Sequence, residues 1–148
     1  MESSKFKKYK HLGRVYPETT EHWHKPILKM LEKLDKECTP RWIPRFVLNF
    51  VVNSALTDSR AVKSKFFYKI YKSFGIKCNI KQIKSKFAEL RVYSNTPKEL
   101  EYIIEEAEIS CDLICEHCGS MEQTKQVVVN RWVTNLCKTC REKKNDVN

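Results

Sequence analysis

The chain has 148 residues, 41% of them hydrophobic, and a formal net charge of +10 from 28 Lys and Arg against 18 Asp and Glu. That length buries one ordinary core plus a small metal-held satellite, which excludes two independent domains. The most apolar stretch, Phe46 to Val52, falls far short of the roughly 20 residues of a membrane span, and Met1 to Lys5 lacks the apolar segment of a secretory signal, so a cytoplasmic protein with no membrane partner is expected.

Residues 1–16 carry Lys5, Lys7, Lys8, Lys10 and Arg14 among a few aromatics and read as a basic N-terminal arm, mobile or loosely docked. An α+β body is expected over 17–110. Pro17 to Thr20 looks like a helix entrance, and Trp23, Ile27, Leu31 and Leu34 recur at helical spacing on a helix that ends near Cys38-Thr39-Pro40, with Pro26 in its first turn. Pro44 opens a second helix whose Phe46, Val47, Phe50, Val51 and Ala55 form a broad apolar face typical of an element buried on most sides. Asp58 or Ser59 caps a third, with Val62, Phe66, Ile70 and Phe74 on one face, lysines on the rest, and Gly75 as its stop.

Beyond Gly75 the pattern changes period. Ile76, Cys78 and Ile80 alternate with polar residues as in a half-buried strand, and Phe87 to Ser94 gives a second, with Leu90 and Val92 on one face and Glu89, Arg91 and Tyr93 on the other. Lys84-Ser85-Lys86 is expected to link them as an antiparallel hairpin. Thr96-Pro97-Lys98-Glu99 is a capping box with Pro at the first helical position, followed by an inner stripe of Leu100, Ile103, Ile104, Ala107, Cys111 and Ile114.

The C-terminal segment carries the strongest motif. Cys115 and Cys118 flank Glu116-His117 and precede Gly119, and after eighteen intervening residues Cys137 and Cys140 form a second Cys-x-x-Cys pair. Between them Gln126 to Asn130 and Trp132 to Leu136 are rich in β-branched and apolar residues, as expected for two short strands. Cys115, Cys118, Cys137 and Cys140 are therefore the predicted ligands of a structural Zn2+ in a ribbon over 111–141, with 142–148 a polar tail. Thiolate affinity alone also admits iron, and His117 is read as a solvent-facing turn residue. Four thiolates leave no open coordination position, which argues against metal catalysis. Cys38, Cys78 and Cys111 are read as buried free thiols in a reducing compartment.

Charge is unevenly distributed. Arg60 to Arg91 holds ten Lys or Arg against Glu89, whereas Glu99 to Glu122 holds eight acids and no Lys or Arg. Arg60, Lys63, Lys65, Lys69, Lys72, Lys84, Lys86 and Arg91 are the candidate phosphate contacts, with Phe67, Tyr68, Tyr71 or Tyr93 available for stacking. His22 and His24 flank Trp23, but two helical positions apart they point away from each other; with no phosphate-cradling glycine loop either, no enzyme and no small-molecule substrate are expected.

Three segments together resemble a family of small, poorly characterised zinc-ribbon proteins of bacteria and their phages: Ile83 to Tyr93, Ala107 through Ser110 to the Cys115 knuckle, and Trp132 through Cys140. The Trp23-x-x-Pro26 opening of the first long helix is similar too. Family members usually carry Gly after the Phe of the strand motif, where this chain has Ala88. The resemblance implies a ribbon attached to the last helix of an α+β body and a phage or mobile-element origin, with action in the host cytoplasm; it supplies no activity. The residues themselves favour a nucleic-acid-binding accessory or regulatory factor for DNA or RNA. The competing reading is an effector that docks through its ribbon or acidic helix on a host protein, such as transcription machinery or a defence enzyme; the net charge makes nucleic acid or an acidic host protein the expected partner.

Overall fold

The computed structural model describes residues 3–56 and 62–145. The fold is α+β, with two small antiparallel sheets among helices. The helices are α1 (Ser3–Lys7), α2 (His24–Cys38), α3 (Arg45–Leu56), α4 (Val62–Ser73), α5 (Glu101–Asp112) and α6 (Lys138–Asn145). The strands are β1 (Ile80–Lys86), β2 (Glu89–Ser94), β3 (Lys125–Val129) and β4 (Trp132–Leu136).

The main core forms where the helical stripe of α2 meets that of α5 and the inner face of the first hairpin. Trp23, Ile27, Leu31 and Leu34 are wholly buried, as their spacing predicts, against Ile103, Ala107, Cys111, Ile83 and Leu90. Pro26 lies in the first turn of α2, where its missing N–H leaves no bond unmade. Ahead of α5, Lys98–Leu100 forms a 3-10 turn, and no side-chain cap forms there; Thr96 Oγ1 meets Ser94 Oγ at 2.8 Å instead.

The N-terminal segment is not a loose arm. Phe6, Tyr9, Leu12 and Val15 belong to the main core, each at most 3% exposed. Residues 13–18 then run parallel to β1, with Arg14 N–H donating to Ile80 O at 2.8 Å and Glu18 N–H to Ile83 O at 2.9 Å. Gly13 permits this approach: at φ +111 any Cβ would collide with the Ile80 backbone. Pro17 to Thr20 is correspondingly extended or bent, and helical structure starts only at Glu21.

Asp35 fastens this segment to the helices. Its Oδ1 accepts from His11 Nε2 at 2.6 Å, Thr39 Oγ1 at 2.8 Å and Arg45 Nη1 at 2.9 Å, and its Oδ2 meets Arg45 Nη2. One buried carboxylate thus ties three successive pieces of the chain together.

A second cluster joins α3 to α4 through Leu48, Val51, Val52 and Phe74, with Phe67 and Ile70 half-buried. Here the structure corrects the expected faces. Phe46, Phe50 and Phe66 are exposed, because both helices are apolar on more than one side and the partner, not the period, decides which stripe is covered. The proposed caps Asp58 and Ser59 lie outside the described residues.

The first hairpin is also displaced from its predicted place. Ile76 to Asn79 is an extended lead-in, with Lys77 N–H bonded to Cys38 O, and the pairing begins at Ile80 opposite Ser94. Lys84, Ser85 and Lys86 are strand residues facing Arg91, Leu90 and Glu89, so the turn falls at Phe87-Ala88. Both turn residues have positive φ, +54 and +60, as a two-residue turn matching strand twist requires. Ala88 thus holds a left-handed position, which costs a Cβ-bearing residue about 1 kcal/mol.

Cys38 and Cys78 are joined as a disulfide, with Cα atoms 5.7 Å apart, which corrects the reading of both as free thiols. The bond links the end of α2 to the lead-in of β1 and closes a loop containing α3 and α4. Cys111 is free and wholly buried, and burial foremost pushes its thiol up to about 12.

Candidate functional site

The two Cys-x-x-Cys pairs converge. The sulfurs of Cys115, Cys118, Cys137 and Cys140 lie within 4.8 Å of one another, an arrangement that can hold a metal ion. The first knuckle closes through Gly119 N–H to Cys115 O at 2.9 Å and Cys115 N–H to Ser120 O at 2.8 Å. Gly119 sits at φ +75 with His22 packed over it, and a Cβ there would come within 2.8 Å of His22 Nδ1. The second knuckle is delivered by β4 and by the start of α6, a helix that runs on into the polar segment expected from residue 142. A charged sequence without an apolar stripe gave no helical signal there. Arg141 braces the turn by donating to Gln123 O at 2.9 Å and Leu136 O at 3.2 Å.

Electrostatics shows what a cation would do for this cluster. Burial raises the Cys115 thiol, but N–H groups of Cys137, Cys118 and His117 directed at its sulfur bring it down to about 6. Burial and the neighbouring thiols of Cys118, Cys137 and Cys115 drive Cys140 up to about 12. Four thiolates cannot share so small a space without a positive charge between them, and a divalent ion removes that repulsion.

The ribbon is docked on the body at several points. Asn135, 1% exposed, donates its side-chain N–H to Ala88 O at 2.6 Å, at the tip of the first hairpin. Thr20 Oγ1 donates to Glu116 O at 3.1 Å, and Trp23 Nε1 to Ile114 O at 3.5 Å. His22 Nε2 meets His117 O at 3.2 Å, while the His24 ring lies edge-on to Phe6, so the two histidines face different partners. Replacing Asn135 with Ala is expected to cost about 1–3 kcal/mol, because Ala88 O loses its buried donor. Urea unfolding read by the metal-binding and hairpin regions separately checks this, with metal content expected to stay intact.

The candidate phosphate contacts fall into two groups. Lys84 and Arg91 face each other across the hairpin and Lys86 lies beside them, all on the side opposite buried Ile83 and Leu90. Lys69 and Lys72 are exposed on α4, in the separate α3–α4 cluster. Only the helical backbone of Lys63 and Lys65 is described, and Arg60 lies outside the described residues. Tyr93 is 44% exposed, with Lys84 Nζ 5.0 Å from its ring centre. Phe67 instead packs in the helical cluster, and Tyr71 O–H donates to His11 O at 2.5 Å.

Residues 13–18 add side chains that were not among the candidate phosphate contacts. Arg14, Tyr16 and Glu18 are exposed while Val15 between the first two is buried and Pro17 half-buried, and Glu18 accepts from Gln82 Nε2 at 3.2 Å. Arg14 and Tyr16 therefore extend the hairpin's outer face. The unrecognised signal was the alternation of Arg14, Val15 and Tyr16. Glu89 on this face pairs with Arg91. On the acidic helix, Glu106 pairs with Lys29 and Lys33, so part of that face is used within the molecule.

Comparison with known proteins finds no family model that matches the chain, no matching curated protein and no matching solved structure.

Proposed function

We propose that this protein is a zinc-ribbon factor that binds nucleic acid in an accessory or regulatory role, encoded by a phage or mobile element and acting in the cytoplasm. The observation that carries the reading is the outer face of the first hairpin and its flanking strand. Arg14, Lys84, Lys86 and Arg91 share that face with the exposed rings of Tyr16 and Tyr93, Lys84 Nζ lying 5.0 Å from the Tyr93 ring centre, while Glu18 accepts from Gln82 and Glu89 pairs with Arg91. Cations that neutralise phosphates next to exposed rings are the chemistry of a polynucleotide surface. Zinc suits the four-thiolate cluster because it takes a closed tetrahedral sulfur shell without redox change. Its role is to fold the ribbon and hold Asn135 against the hairpin tip. Binding rather than turnover is the proposed activity.

A cytoplasmic site of action keeps the ribbon thiolates reduced, and the Cys38–Cys78 pair, each residue 2% exposed, is shielded from bulk reductant.

Salt dependence tests the reading. With about five phosphates neutralised, raising salt from about 50 to 200 mM is expected to weaken binding roughly a hundredfold or more. Lys84→Gln with Lys86→Gln should lower affinity for every sequence and flatten the salt slope by about 1–2. Fluorescence polarisation with DNA and RNA probes measures both, and no binding at low salt refutes the proposal.

One feature favours the protein-binding alternative. Trp42, Phe46, Phe50 and Phe66 leave aromatic surface exposed on the α3–α4 unit, as at protein interfaces. Recovery of a stoichiometric host protein, lost on Phe46→Ser with Phe50→Ser, would favour that reading.

A further inference from the structure

We propose that the partner is a single-stranded polynucleotide whose bases stack on Phe87 and Trp132, the aromatics at the tips of the two hairpins; this rests on the nucleic-acid reading above and names its substrate class. Both residues line one cleft of about 810 Å3 between the hairpins, together with Lys86, Glu116 and Arg131. Phe87 is 68% exposed and Trp132 79%, so each presents its ring to solvent. Lys86 Nζ stands 5.3 Å from the Phe87 ring centre, and exposed Arg131 directly precedes Trp132. The acidic lining residue, Glu116, has its Oε1 occupied by Thr134 Oγ1 at 3.2 Å and Asn135 N–H at 2.9 Å. The cleft therefore offers an anionic, aromatic ligand two rings and two cations, Lys86 and Arg131, that have no acidic partner among the described residues.

Backbone geometry is a second, independent observation. Both tips are built on positive φ: +54 and +60 at Phe87 and Ala88, +49 and +68 at Asn130 and Arg131. Asn-Gly is the residue pair that such turns favour. Phe87 and Arg131 instead occupy left-handed positions, and strain of this kind concentrates where a side chain is needed for function. Stability alone would not select a solvent-exposed Phe in a left-handed turn.

Duplex bases already stack on one another, so rings projecting from hairpin tips can stack only on unpaired ones. Phosphates of the same strand would run past Lys86 and Arg131, and onward to Lys84 and Arg91 on the sheet face. The hydrogen bond from Asn135 to Ala88 O fixes the spacing of the tips, which gives the ribbon a binding role beyond its own folding.

The test uses the full-length zinc-bound protein, with labelled oligo-dT and oligo-U strands and a duplex, each of about twelve nucleotides, in polarisation assays at low salt. Single strands are expected to bind about tenfold or more tighter than duplex. Phe87→Asn combined with Trp132→Ala should weaken single-strand binding at least about tenfold and leave duplex binding within about twofold. Zinc content should be unchanged and the thermal midpoint unchanged or raised, because Asn suits the turn. In a Trp42→Phe background, added strand should quench Trp132 emission, Trp23 being buried. Duplex preference, unaltered single-strand affinity in the double variant, or absence of quenching overturns this inference and leaves the nucleic-acid reading standing. Failure of the unaltered protein to bind any of the three probes overturns both.

Discussion

Replacing Cys137 with Ser is expected to abolish stoichiometric zinc and unfold the ribbon, while the main core around Trp23 and Leu31 persists. Apparent free energies of structural zinc sites reach about 10–16 kcal/mol at neutral pH, and in small ribbons that energy is folding energy. Among the described residues β3 and β4 pair only with each other, and the buried cluster there consists of Leu136, Cys115, Cys137 and Cys140, with Val127 and Val129 half-buried against it. So little apolar burial cannot order the segment once the cation is gone. Elemental analysis after dialysis should find far less than one zinc per chain, and limited proteolysis should cut between Ser120 and Asn135. A strong chelator should do the same to the unaltered protein. A variant that retains one equivalent of zinc and its thermal midpoint would contradict this.

Removing the Asp35 carboxylate, as Asp35→Ala, is expected to cost about 3–5 kcal/mol. It strips His11, Thr39 and Arg45 of a common buried partner at once. At this chain length such a loss lowers the thermal midpoint by roughly 10 °C. The same residue sets a pH dependence. Burial alone would raise the Asp35 carboxyl, but hydrogen bonds from His11, Arg45 and Thr39 outweigh it and hold the group well below the usual carboxylate range. A folded pKa below the unfolded value of about 3.9 means the stabilisation is fully present above that value and disappears as pH falls through the folded one. Urea midpoints should therefore drop below about pH 4 more steeply for the unaltered protein than for Asp35→Ala. Parallel pH profiles would show that the carboxylate carries no such load.

The features legible in sequence were those that local chemistry decides. Cysteine spacing picked out the four residues whose sulfurs converge, and 3.6-residue periodicity the buried stripes of α2 and α5, because each pattern is complete within one continuous stretch of chain. What escaped depends on contacts distant in the chain. Phe6, Tyr9, Leu12 and Val15 recur every three residues, a spacing that matches neither a strand nor a sustained α-helical stripe; hydrogen bonds to β1, more than sixty residues away, hold that segment in place. The alternation of Ile76, Cys78 and Ile80 is real, yet it belongs to an extended lead-in, and a turn at Phe87-Ala88 without Gly or Asn sends no signal. In α3, apolar residues on most sides left the burial of Leu48 and the exposure of Phe46 undetermined until α4 was in place. The Cys38–Cys78 pairing likewise depends on how α2 and the lead-in meet in space.

The candidate metal site and the proposed binding surface are linked by this packing. Asn135 precedes Leu136 and Cys137 on β4 and grips the hairpin tip whose outer face carries Lys84, Lys86 and Arg91. Zinc loss should therefore weaken polynucleotide binding as well as unfold the ribbon.

The central claim is that Cys115, Cys118, Cys137 and Cys140 enclose a single structural ion. X-ray absorption at the zinc edge on protein purified without added metal tests it most directly. One zinc per chain with four sulfurs at about 2.3 Å is the predicted result. Absence of zinc, a shell containing nitrogen or oxygen, or those sulfurs paired with one another would contradict it.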